Sequence, residues 1–130
     1  MALKIVEIHR RDDPKGLNLD WVVVHNSSDQ PVSLRGCVVN VSNPNAKKSR
    51  KAAKLDPGFK LEADGKKRLV AGNPRSKAHG TPPEDDVENY FLFMKVGLVD
   101  KPGIRLRIVR GQLTLAEGIY EPKEENGVAG

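Results

Sequence analysis

An all-β architecture, a sandwich or barrel of antiparallel strands, is what this sequence predicts. Three observations lead there. Short β-branched and apolar runs recur about every ten residues, with Gly, Pro, Asn and Asp between them. Ile104–Arg110 alternates strictly, with Ile104, Leu106 and Ile108 on one face and Arg105 and Arg107 on the other. The 130 residues suit a single domain with one core. Aromatics are only 5% of the chain, so Val, Leu and Ile must fill that core.

The elements follow in order. Leu3–His9 is β-branched and apolar, and closes at Asp12-Asp13-Pro14-Lys15-Gly16. Trp21–His25 is the second run, closed by Asn26-Ser27-Ser28-Asp29, where Asn26 suits an Asx-turn. Pro31–Leu34 and Gly36–Ser42 are the third and fourth. Lys47–Lys54 has only Ala52 and Ala53 as apolar anchors and reads as a mobile loop. Lys60–Ala63 and Lys67–Ala71 flank Asp64-Gly65, a hairpin signal. Thr81-Pro82-Pro83-Glu84 carries a capping residue, Pro at the first helical position and a Glu, which predicts a short helix over 82–89. Tyr90–Lys95 is extended and apolar on both faces. Ile104–Arg110 and Gln112–Ile119 form a hairpin around Gly111. The sandwich is expected over 1–120, with 121–130 a polar, flexible tail. Trp21–His25 and Gly36–Ser42 are apolar on both faces, so those strands must be central or covered.

Charge is segregated. Between Pro44 and Lys77 stand eleven Lys and Arg against three acids, and an acidic cluster, Glu84, Asp85, Asp86 and Glu88, follows. Such a field recruits polyanions, although basic loops also keep β proteins soluble and blunt their edges. No apolar run reaches membrane-spanning length, and the start lacks a signal-peptide pattern, so a cytoplasmic protein without a membrane span is expected. The single Cys37 excludes an intrachain disulfide and any multi-cysteine metal site.

Asp20-Trp21-Val22-Val23-Val24-His25-Asn26, Pro31-Val32-Ser33-Leu34-Arg35-Gly36-Cys37, Leu55-Asp56-Pro57-Gly58 with Leu69-Val70-Ala71-Gly72, and Lys101–Arg107 through Gly111 to Tyr120 resemble, in order and spacing, the motifs of the lamin tail domain family. The resemblance runs from about Leu3 to Tyr120. It implies an immunoglobulin-like β-sandwich of two antiparallel sheets with no catalytic machinery, used as an interaction module for chromatin or protein partners. Cys37 stands where the family has tryptophan, and Ile104 near its usual aspartate, so functions tied to those positions do not carry over.

The residues themselves point to a non-catalytic interaction module that contacts DNA, RNA or another anionic partner through basic loops 47–54 and 66–77. Lys47, Lys48, Arg50, Lys51 and Lys54 would neutralise phosphates, joined by Lys66, Lys67 and Arg68 if the loops converge. The basic stretch offers a single aromatic, Phe59, as a stacking platform. The alternative is a protein-binding or self-associating sandwich that uses an outward Trp21 and Val23, with Tyr90–Met94. No cofactor, metal site or catalytic group is assigned, and a monomer is the default. Asp12-Asp13 and Asp85-Asp86-x-Glu88 follow no calcium-loop spacing. Cys37 reads as a buried inert thiol, and a Cys37–His25 pair on adjacent strands is the remote nucleophilic option.

Overall fold

The computed structural model describes residues 2–129. The described residues hold ten strands: β1 Leu3–His9, β2 Trp21–Asn26, β3 Val32–Ser33, β4 Val38–Ser42, β5 Arg50–Lys54, β6 Lys60–Leu61, β7 Lys66–Val70, β8 Glu88–Phe91, β9 Arg105–Arg110 and β10 Leu113–Ile119. They build an all-β sandwich. The front sheet has the order β1-β2-β7-β8 and the back sheet β10-β9-β4-β5, while β3 and β6 form a small separate sheet.

Alternation places the core. In the front sheet Val22 and Val24 face inward, beside Ile5, Ile8 and Leu69. From the back sheet Val39, Val41, Leu106, Ile108 and Ala116 meet them. Loop residues Leu34, Cys37, Leu55, Leu98 and Val99 plug the ends, all with no exposed surface. Burying an aliphatic side chain fully contributes roughly 1.5–3 kcal/mol, so these layers dominate the stabilising terms.

The outer face of the front sheet is apolar too. Trp21, Val23 and Val70 form a second cluster with Val6, Leu19, Val87 and Phe91. The cover comes from an unexpected connection. β8 runs parallel to β7, whereas every other strand pair is antiparallel. A parallel pair needs a crossover to return the chain to the starting end of the sheet. Residues 71–87 make that crossover and bring Val87 onto the cluster.

The crossover also replaces the expected helix over 82–89. Asp85–Val87 bends, and β8 begins at Glu88. Arg68 Nη1 donates to the carbonyls of Pro83 and Val87, the first of which a helix would have needed as acceptor for its Val87 amide. Asp85 Oδ1 accepts from the Val87 amide, closing an Asx-turn.

Three further expectations are corrected. Lys60–Ala63 and Lys67–Ala71 do not form a hairpin, because β6 pairs with β3 and β7 with β2 and β8. Leu61 turns into the core there, and the chain changes sheets through Asp64, at φ 60. Lys47–Lys54 is not all loop: Arg50–Lys54 is the edge strand β5, paired with β4. Ala53 reaches the core, and one register shift accommodates Ala52. The tail after Tyr120 folds back instead of fraying. Asn126 O accepts from the Ile8 amide, the Ala129 amide donates to Ile119 O, and Tyr120 bridges to Val128. The β9–β10 hairpin forms as expected.

Candidate nucleic-acid interface

The back sheet gathers cations on its solvent face. Register across β5, β4 and β9 aligns Lys51 with Asn40 and Arg107, and Lys54 with Val38 and Val109. Arg105 stands two residues from Arg107 on the same face, opposite Ser42. Inward neighbours Leu106 and Ile108 are fully buried, which fixes the arginines outward. β5 and β9 flank β4, so their side chains are about 10 Å apart. Glu117 is the carboxylate on this face, and it pairs with Arg105 at 2.9 Å. Lys51 and Lys54 are exposed, and Lys47 and Lys48 extend the surface through the exposed loop before β5. Arg50 is committed to Asp100 at 3.2 Å.

The second half of the expected patch lies elsewhere. Lys66, Lys67 and Arg68 belong to β7 in the front sheet, so the two basic groups do not converge. Lys67 pairs with Glu88 at 2.8 Å and sits over the Phe59 ring. Arg68 is only 3% exposed. Its guanidinium binds Asp85 and Asn89 at 2.8 Å each and lies over the Trp21 ring. The side chain is a fastener for the crossover, and Arg68 offers no charge to a ligand. Lys66 alone of the three points to solvent without an ion-pair partner among the described residues.

The proposed protein-binding face is corrected as well. Trp21 and Val23 are 6% and 5% exposed. His9 stacks on Trp21 at 4.1 Å between centroids, and Glu7 Oε2 accepts from Trp21 Nε1 at 2.6 Å. A Trp with its ring covered and its N–H bonded is internal structure.

Beyond this cluster lies an open cleft of about 420 Å³, where β1 faces the crossover and the returned tail. Glu7, Asp12, Asp85, Glu124 and Glu125 line it against Arg10 and Arg68. Among the described residues no group of three His, Cys, Asp or Glu is arranged to hold a metal ion. Cys37 is fully buried, and burial pushes its thiol up against a smaller opposing pull from Arg110. His25 is in β2 of the front sheet, bonded to Asp64 at 2.8 Å, whereas Cys37 precedes β4 of the back sheet, so they do not pair.

Arg105 and Arg107 were not among the expected binding residues, although the alternation of Ile104–Arg110 already showed a cationic outer face. What the sequence lacked was the strand order that sets β9 one strand from β5. No family model matches the chain, and the search of functionally characterised proteins finds no match. No described helix is long and apolar enough to cross a membrane.

Proposed function

We propose that the chain is a non-catalytic interaction module, of the kind the lamin-tail resemblance implies, that binds nucleic acid through the solvent face of its back sheet. One observation carries this reading. Lys51, Lys54, Arg105 and Arg107 share that face in register, with a single carboxylate among them. Lys47 and Lys48 continue it. The front sheet offers a thinner surface, because Lys67 is paired and Arg68 is buried, which leaves Lys4 and Lys66 exposed there. Phosphates would be held by charge, with little readout of base sequence, so affinity should fall steeply with salt.

Anisotropy titrations with a duplex oligonucleotide across a salt series test this. Each lost phosphate contact should flatten the log–log salt slope by about 1. The double variant Lys51→Glu, Arg107→Glu should abolish binding, whereas Lys66→Glu should leave the slope unchanged. Absence of binding at low salt, or equal loss with Lys66→Glu, overturns the assignment.

A further inference from the structure

We infer that Phe93 is a stacking platform for an unpaired base, which makes single-stranded nucleic acid the preferred polyanion. This rests on the reading above and deepens it. Phe93 is 65% exposed, the aromatic among the large exposed hydrophobics. Its neighbours are not exposed: Phe91 packs against the Trp21 cluster, Leu92 against the core, and Met94 is 8% exposed. A continued strand would put Phe93 on the same face as Phe91. Instead β8 stops at Phe91, and Phe93 takes φ +54. That left-handed conformation is disfavoured for a bulky side chain, and glycine or asparagine would adopt it more readily. A strained turn that holds a phenylalanine in water is the arrangement expected where the ring itself has a task.

The surroundings name the occupant. Phe93 opens the connection from β8 to β9, at the end of the sandwich where β4 passes into β5 and β7 enters its crossover. Arg50 at the start of β5 bonds Asp100 of that connection, which also lies 3.9 Å from Arg11. The connections at this end carry Lys47, Lys48, Arg75, Lys77, Lys95 and Lys101, all exposed, against the exposed acids Asp12 and Asp13 of the β1–β2 connection. An exposed aromatic set among cations is the combination that single strands use, with phosphates on the charges and a base on the ring. Phe59, the aromatic within the basic stretch, is unsuited, since it packs on Tyr90 at 5.0 Å.

The test compares labelled oligothymidylate with a duplex of equal length, using wild type, Phe93→Ala, Phe93→Trp and the Lys51→Glu, Arg107→Glu double variant. Wild type should favour the single strand. Phe93→Ala should weaken that complex roughly ten- to hundredfold and change duplex binding less than about twofold. Phe93→Trp should retain the preference. Thermal unfolding of each variant confirms the fold, and an exposed site should leave it intact. Unchanged single-strand binding in Phe93→Ala, or equal losses for both probes, overturns the platform while the back-sheet reading stands. Wild type that binds neither probe at low salt overturns the back-sheet reading itself, and the platform with it.

Discussion

Arg11 Nη1 donates to Asp20 Oδ2 at 2.9 Å, and the Asp20 carboxylate has no exposed surface. The same oxygen accepts from the Leu98 and Val99 amides, so this one carboxylate fastens the β1–β2 connection to the β8–β9 connection. Burial pushes Asp20 above the ordinary carboxylate value, and Arg11 and the two amides pull it partly back. Removing one partner of a buried pair strands the other. Arg11→Ala should therefore lose roughly 3 kcal/mol at neutral pH in urea melts. A carboxylate whose folded pKa is raised gains relative stability as pH falls through that value. The penalty of Arg11→Ala should accordingly shrink on acidification toward pH 4, and a constant penalty would count against the pair.

Gly97 supplies a second test of the same joint. A Cβ at Gly97 would lie 1.8 Å from Arg11 Nη1, so Gly97→Ala must expel the guanidinium. In the wild-type background it should cost about as much as Arg11→Ala. In the Arg11→Ala background it should cost little, because the clashing group is gone. Such non-additivity, read from a double-mutant cycle, isolates the contact. Additive losses would show that Gly97 acts by another route.

Arg68 secures the crossover. Its removal leaves the Val87 carbonyl, Asn89 Oδ1 and Asp85 Oδ2 without their donor, and the Pro83 carbonyl with only Asn89 Nδ2, at a cost of roughly 3 kcal/mol. Arg68→Ala should raise hydrogen exchange over 83–91 and red-shift Trp21 fluorescence. Acid should do so in the wild type. Hydrogen bonding to Arg68 holds Asp85 below the ordinary carboxylate range, and Lys67 does the same for Glu88. Depressed carboxylates contribute stability above their ordinary values and lose it as pH falls through the lowered ones. Trp21 emission should therefore shift on acidification below pH 4, and an unshifted spectrum there would contradict the linkage.

The returned tail makes a separate prediction. Gly127 has φ +76, and a Cβ there would meet Ile8 O at 2.0 Å. Gly127→Ala should undock the tail, destabilise by about 1–2 kcal/mol, and deprotect the Ile8 amide to exchange. Continued protection of that amide would refute the docking.

Cys37 should be unreactive. The native protein should resist an aromatic disulfide reagent until urea unfolds it, because the thiol is buried and its pKa is raised. Stoichiometric reaction in the folded state would place Cys37 at the surface.

The sequence and the structure agree where the signal is local. Alternation in Ile104–Arg110 set β9 and its two faces, and β-branched runs located β1, β2 and β4. The two-faced apolar runs called for strands that are central or covered, and β2 is both, which leaves no outward Trp21. Local signals failed wherever a distant partner outweighed them. Asp64-Gly65 carries hairpin chemistry, yet Leu61 goes with the small sheet. Thr81–Glu84 carries helix chemistry, yet Arg68 takes the carbonyls. The basic stretch is continuous in sequence, but alternate strands enter different sheets, so its charge divides between two surfaces. Phe93 gave no sign of its own exposure, since a run of five apolar residues does not reveal which one a left-handed turn will eject.

The crossover of residues 71–87 gives the molecule a sealed wall and a bare one. Orientation on a support then becomes a variable with a known sign. A protein tethered by an engineered cysteine on the sealed side presents its open wall to the solution, and a tether planted on the open wall blocks it. Under the proposed function, two immobilised forms differing only in the anchoring position would capture unequal amounts of the same oligonucleotide.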